Sequence, residues 1–290
     1  MNGFAIFLIL LSGFFHVIRD LFIKGARNKQ VFLCIYLFVG FFITVPYSVY
    51  FLSKENFTLM NLGITFGSSI IHSFYLISLA RAYEAGDFSH IYPIARSAPV
   101  LVLIFAVIFL HESVSLLGVF GILLVTFGVY MINAKSLSFK ALAEPWHYMK
   151  SEPASRIAFL LMFIVAAYSL VDKIGVNFFH PITYFFLLQI FTFMFIAPYM
   201  FWKYKKEDFK MEWKNSKFNI IKASVFDVLT YTLALAALKI AQVSYVVSMR
   251  QFSVILAVFI GHHVLKERFA KVRITASIII FCGLILISFA

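Results

Sequence analysis

Ten stretches of roughly 20 mostly apolar residues follow one another along the chain, at 3–23, 31–52, 61–82, 88–110, 115–133, 157–177, 182–202, 218–238, 243–264 and 273–289. About 20 such residues cross the hydrocarbon core of a bilayer as one helix. Several stretches abut with almost no loop, so neighbours form antiparallel hairpins. The pattern predicts an all-α integral membrane protein with ten transmembrane helices. Composition agrees: 62% of residues are hydrophobic and 13% charged, against roughly 45–50% and about 25% in soluble domains. The 37 phenylalanines suit lipid-facing helix surfaces. The first stretch has no basic residue before it and runs into His16, Arg19 and Asp20, so it reads as a transmembrane helix, not a cleavable leader.

The chain also repeats itself. The segment 86–112 has a second copy at 241–267, and one ungapped shift of 155 residues pairs Ser89 with Ser244, Leu110 with Leu265, Glu112 with Glu267 and Gly128 with Gly283. Extended backwards, the same shift pairs Ser69 with Ser224, His72 with Asp227 and Ala82 with Ala237. Internal repeats of this kind govern how the rest of a chain is read. We divide the chain into a first five-helix repeat at 1–134, a linker at 135–156 and a second five-helix repeat at 157–290. The linker carries Lys135, Lys140, Lys150, Pro145 and Pro153, and a second long connection at 203–217 reads as a charged surface loop. A unit with an odd number of spans inserts its duplicate upside down. Two inverted five-helix repeats are the plan of many transporters, with the binding site near the bilayer midplane.

The net charge of +12 does not point to nucleic acid, because the basic residues flank apolar spans and form no reading motif. They set orientation instead. Seventeen Lys and Arg fall in connections after odd-numbered helices, and only Lys54 and Lys239 in the others. This bias places the first face in the cytoplasm and both termini outside, in a multi-pass protein of the plasma (inner) membrane. Cys34 and Cys282 lie inside expected helices, and no Cys/His cluster suggests a metal or cofactor. An enzyme is not expected. No HExxH or GxSxG segment is present, and the neighbours His262 and His263 point about 100° apart on a helix. No GxxxxGK[ST] segment supports ATP-driven pumping.

Several residues carry a family likeness. They are the turn Ala85-Gly86-Asp87-Phe88-Ser89, the helix-4 segment Tyr92-Pro93-Ile94 with Pro99, the closing Leu110-His111-Glu112, and Gly118, Gly121 and Gly128. The second half keeps Ala241, Ser244, Leu265-Lys266-Glu267 and Gly283. With these the chain resembles the drug/metabolite transporter superfamily, in particular its EamA-type ten-helix branch. The likeness implies transport of a small molecule and leans to efflux. It departs from many relatives at Phe14-Phe15-His16, where they have a Trp-Gly pair, and in its loop charges, since relatives commonly have cytoplasmic termini.

A charge at the centre of a membrane helix costs about 2.5–3.5 kcal/mol, so each ionisable residue there is a candidate site. Arg96 and Arg250 stand at equal depth in helices 4 and 9 and could clamp a carboxylate or phosphate. Their alternative is an internal salt bridge to Asp227, Asp172 or Asp20. Tyr92 shares a face with Arg96, and Gln251 lies on the matching face of helix 9. Tyr75 follows His72 by three and Tyr231 follows Asp227 by four; Tyr168 precedes Asp172 by four. Arg96, Arg250, Tyr92, Tyr75, Gln251, Tyr231 and Tyr168 are therefore the expected substrate contacts. His72, Asp227 and Asp172 are the expected proton carriers, with His72 and Asp227 on opposite sides of a cavity. His16, Arg19 and Asp20 form either a cavity face with a self-paired Arg19 and Asp20 or an interfacial group near Lys24, the second being favoured for Arg19, and Lys173 is read as snorkelling outward. Glu112 and Glu267 are read as caps, and the glycines as packing positions.

The expected function is secondary transport by alternating access of a small anionic or zwitterionic metabolite, of the amino acid or organic acid class. Protons are a candidate coupling ion and export the favoured direction. The bilayer is the other expected partner, and a monomer is compatible with the reading. A lipid-linked headgroup carrier or flippase of the same fold stays open as the alternative.

Overall fold

The computed structural model describes residues 1–85, 97–132, 134, 153–265 and 271–290, with backbone only at 80–85, 153–155 and 261–265. Among these residues there are helices and no strands. In chain order they are α1 (Gly3–Lys24), α2 (Lys29–Leu52), α3 (Leu59–Ala85), α4 (Ala98–Leu110), α5 (Leu116–Met131), α6 (Pro153–Phe178), α7 (Pro181–Lys203), α8 (Lys206–Ile240), α9 (Val243–Met249), α10 (Phe252–Leu265) and α11 (Lys271–Phe289). Among the described residues, eight helical stretches are long and apolar enough to cross a membrane, α9 with the start of α10 counting as one. The helices α4 and α5 are shorter and apolar. This is a helical, multi-pass membrane protein. Both cysteines are free.

Two expectations change. The charged connection at 203–217 is not a loop: α8 is one helix of 35 residues that begins at Lys206. Glu207 and Asp208 occupy its first turn, where carboxylates favour the positive end of the helix dipole. Asp208 also accepts the Lys205 amide at 2.9 Å. Further on, Glu212, Ser216, Ile220 and Ser224 continue one buried stripe at four-residue spacing, so the charged part packs on the same face as the apolar part. The second change is at 243–264, where the helix stops at Met249 and restarts at Phe252. Two three-residue turns bridge the break, Gln251 N–H to the Ser248 carbonyl and Ser253 N–H to the Arg250 carbonyl, both 3.1 Å.

The chain forms two compact units, and each takes segments from both halves of the sequence. The first comprises Met1–Leu10, Phe74–Leu170 and Ala241–Ala290. Its tightest contact is α5 on α11. A Cβ on Gly121 would lie 2.8 Å from the Gly283 carbonyl oxygen, and one on Gly128 2.9 Å from that of Ala276. Only hydrogen at these positions allows the backbones to come so close. The α4–α5 turn is tied to α9. Glu112 caps α9, accepting the Val243 amide at 2.6 Å and the Ser244 hydroxyl at 2.7 Å. The Tyr245 hydroxyl accepts the Ser115 amide at 3.2 Å, and its ring lies over Gly118.

The second unit comprises Leu11–Ser73 and Val171–Ile240. Here α2 packs against α7 and α8. Thr44 donates to Gln189 Oε1 at 3.1 Å, and Gly40 leaves the space that the Gln189 amide fills. Two serines related by the repeat make equivalent bonds: Ser69 of α3 donates to the Leu188 carbonyl of α7, and Ser224 of α8 to the Tyr36 carbonyl of α2. The α6–α7 connection is pinned by His180, which stacks on Phe51 at 3.9 Å and donates its amide to Glu55. Burial and then the Lys239 ammonium hold this imidazole below the ordinary histidine range.

If the glycine seam limits stability, Gly121→Ala should lower the thermal midpoint of the detergent-solubilised protein by the equivalent of about 1–3 kcal/mol, as overpacking does. Gly63→Ala, where a Cβ meets nothing within 4 Å, should change it only slightly. Equal midpoints for the two variants would remove the seam as a determinant.

Candidate functional site

The candidate site is a buried carboxylate in the second unit. Asp172 of α6 is 1% exposed and carries a full set of hydrogen-bond donors. Ser68 and His72 sit one turn apart on α3 and so face the same way. Ser68 Oγ donates to Asp172 Oδ1 at 2.5 Å, and Tyr184 of α7 donates to the same oxygen at 2.8 Å. Tyr231 of α8 donates to Oδ2 at 2.6 Å. His72 Nε2 lies 3.2 Å from Oδ2 and 2.9 Å from the Tyr231 hydroxyl. Tyr231 has one proton, and Asp172 holds it. Nε2 must therefore be the protonated ring nitrogen, directed at both oxygens. Four donors on two oxygens describe an ionised carboxylate.

Local sequence makes this possible. Asp172 and Gly175 are three residues apart on α6, and any Cβ on Gly175 would overlap the Tyr184 ring that reaches Asp172. Tyr231 is held flat against Phe185 at 5.1 Å between centroids and edge-on to His72 at 5.7 Å. The hydroxyl positions are thus fixed by packing.

A second ionisable cluster lies between α1 and α8 in the same unit. Arg19 Nη1 donates to Asp227 Oδ1 at 2.7 Å. Its Nε and Nη2 donate to Asp20 Oδ1 at 3.0 and 2.7 Å, and Nη2 also donates to His16 Nδ1 at 2.8 Å. A guanidinium can only donate, so His16 Nδ1 accepts and the ring is neutral, with its proton on Nε2. That nitrogen faces Asp20 Oδ2 at 3.4 Å. Asp227 is 7% exposed and Asp20 45%, so this cluster runs from a buried end to an exposed one.

The structure brings together His72, Asp172 and Tyr231 from the sequence expectations. Asp227 stands in the Arg19 cluster. His72 and Asp227, expected to face each other across a cavity, belong to one unit and take different partners. Tyr75 and Tyr168 meet edge-to-face at 5.7 Å in the other unit. Arg250 and Gln251 occupy the α9–α10 break, where Gln251 is buried and its Oε1 has no hydrogen-bond partner among the described residues. Arg96 and Tyr92 lie outside the described residues, as do Pro93, Glu267 and the side chains of His262 and His263.

The Arg19 side chain is 15% exposed and bridges Asp20 and Asp227, which includes the expected pairing with Asp20. One reading is corrected. Lys173 does not snorkel into solvent but donates to the Leu238 carbonyl near the end of α8 at 2.6 Å, where the helix dipole favours a cation. Sequence reasoning missed Ser68 and Tyr184 as ligands of Asp172. Ser68 was visible as the residue one turn before His72. Tyr184 reaches across from another helix, and nothing local marks it.

Two buried ionisable clusters within membrane-length helices define a polytopic membrane protein built around polar centres. A family model described as the EamA-like transporter family matches residues 3–134 and again 154–289. The chain belongs to that family. Among solved structures 28 chains match. One of them, described only as "Crystal structure of protein", aligns over 100% of this chain and 98% of its own, with a TM-score of 0.72 and 12% identity. That likeness concerns the fold alone. No curated protein matches the sequence.

Asp172→Asn replaces an acceptor oxygen with an amide NH2, itself a donor, that faces two donors. It should destabilise the solubilised protein by about 2–4 kcal/mol, as unsatisfied buried groups do. Tyr184→Phe removes one donor and should cost about 1 kcal/mol. Thermal unfolding of the two variants with wild type checks the order; an Asp172→Asn midpoint equal to wild type would show that the carboxylate does not organise the site.

Proposed function

We propose that the protein is a secondary active transporter that moves a small anionic or zwitterionic metabolite, of the amino acid or organic acid class, by alternating access coupled to protons. The observation that carries this reading is the buried Asp172–His72–Tyr231 cluster. A carboxylate buried within membrane-length helices is costly and is kept for function by default. Proton uptake on the second ring nitrogen of His72 makes an imidazolium–carboxylate pair of zero net charge. A neutral pair crosses an occluded state at lower cost than a bare carboxylate. Release of that proton on the other side restores the anion. Asp227 is the second proton acceptor of the cycle, and its protonation would loosen Arg19.

In this reading Arg96 and Arg250 hold the substrate's anionic group, and Tyr92, Tyr75, Tyr168 and Gln251 complete its contacts. The helix break at Arg250 supports this placement, because interrupted helices expose backbone groups to bound solutes in transporters. The two family matches, one per half, support a duplicated unit. With five spans per half the duplicate is inverted, and the loop charges favour cytoplasmic odd-numbered connections in the plasma (inner) membrane. Export is the favoured direction.

Purified protein in proteoliposomes, given a panel of amino acids and organic acids with and without a pH gradient, tests the proposal. Wild type should show flux above empty vesicles that a proton gradient accelerates. His72→Gln and Asp172→Asn should fall to the rate seen without a gradient while keeping substrate exchange. Gradient-driven flux that survives in both variants would remove the coupling role, and absence of flux for every solute would remove the transporter reading.

A further inference from the structure

The extended N-terminal part of α8 has no role in the site. At about 1.5 Å per residue, 35 residues make a helix of roughly 52 Å, longer than the ~30 Å hydrocarbon core. Residues 218–240 alone are long enough to cross it. The preceding 12 residues therefore stand, for roughly 18 Å, in the headgroup layer and beyond it.

Charge on this projection is ordered. Lys206, Lys210, Lys214 and Lys217 are all exposed, and their spacing of 4, 4 and 3 puts them on one helix face. The opposite side carries buried Glu212 and Ser216. Glu212 Oε2 accepts the backbone amide of Asn28, the N-cap of α2, at 3.0 Å. This bond fixes the rotation of α8, so the lysine face is turned away from the protein. Exposed aromatic residues mark the membrane boundary beside it: Trp213 is 41% and Phe218 68% exposed. Such rings collect at the headgroup level. A charge that only set topology would need no particular face. Here four lysines share one, fixed by a buried carboxylate.

We infer that this face of α8 binds the phosphates of anionic lipids in the adjoining leaflet. Lysine ammonium groups suit phosphate as point charges, and a negatively charged leaflet attracts basic segments beside a membrane helix. The geometry sets a gradient along the stripe. Lys214 and Lys217 stand nearest the apolar boundary. Lys206 lies about 16 Å further out than Lys217 along the axis, twice the screening length of about 8 Å at physiological salt. The inner pair therefore carries most of the lipid contact. A soluble polyanion lying along the helix would use all four lysines alike.

The full-length protein reconstituted in phosphatidylcholine vesicles with spin-labelled phosphatidylglycerol or spin-labelled phosphatidylcholine tests this. Wild type should immobilise the labelled phosphatidylglycerol several-fold more than the phosphatidylcholine, and added salt should reduce the preference. Lys214→Gln/Lys217→Gln should lose most of it. Lys206→Gln/Lys210→Gln should keep most of it, and Lys214→Arg/Lys217→Arg should behave as wild type. Equal immobilisation of the two lipids by wild type would overturn the inference. Equal losses in the two glutamine variants, with displacement by free inorganic pyrophosphate, would assign the face to a soluble anion and overturn it as well.

Discussion

The structure of the second unit depends on where a buried carboxylate finds its donors. Asp172 sits on a helix long and apolar enough to span a membrane, and in hydrocarbon no water would replace a missing partner. Its four hydrogen bonds come from α3, α7 and α8, so three helices must approach α6 at fixed heights and rotations. Apolar packing alone cannot impose this, because lipid tails compete equally for apolar side chains. The polar centre specifies the arrangement, while small residues such as Gly175 and Gly40 make room for it. Its geometry directs Nε2–H at two oxygens.

The first unit is held by a different means. Its closest contact is backbone to backbone, through Gly121, Gly128 and Gly283. The α4–α5 turn is held by Glu112, which supplies acceptors to the free amides at the start of α9. A carboxylate there also matches the positive end of the helix. The strength of this cap matters because α9 has only seven residues before the break at Arg250. A short helix with a fixed start and an open end presents its last residues at a defined position.

Much of this was legible in the sequence. Helix positions followed from apolar length, which is a direct consequence of bilayer thickness. His72 and Asp172 stood out because charge in a span is costly, and Gly121 because close packing needs small residues. What escaped were properties that depend on neighbours from distant sequence. Arg19 invited pairing with its neighbour Asp20, but its bond to Asp227, 208 residues away, had no local signal. The segment 203–217 looked like a loop because its charge hides a four-residue periodicity of few buried positions. Tyr184 gave no signal, since an aromatic residue near the start of a membrane helix is ordinary. The break at 250–251 was hidden because both sides of it are apolar.

The two ionisable clusters are related in a way that neither shows alone. His72 lies on the third helix of the first half and pairs with Asp172 on the first helix of the second half. Asp227, the repeat partner of His72, lies on the third helix of the second half and pairs with Arg19 on the first helix of the first half. The exchange of partners between halves is therefore reciprocal, as it is for Ser69 and Ser224. The charges are swapped: the basic group is on the third helix in one pair and on the first helix in the other. The two pairs therefore differ in chemistry. One holds an imidazole, the other a guanidinium that never loses its charge.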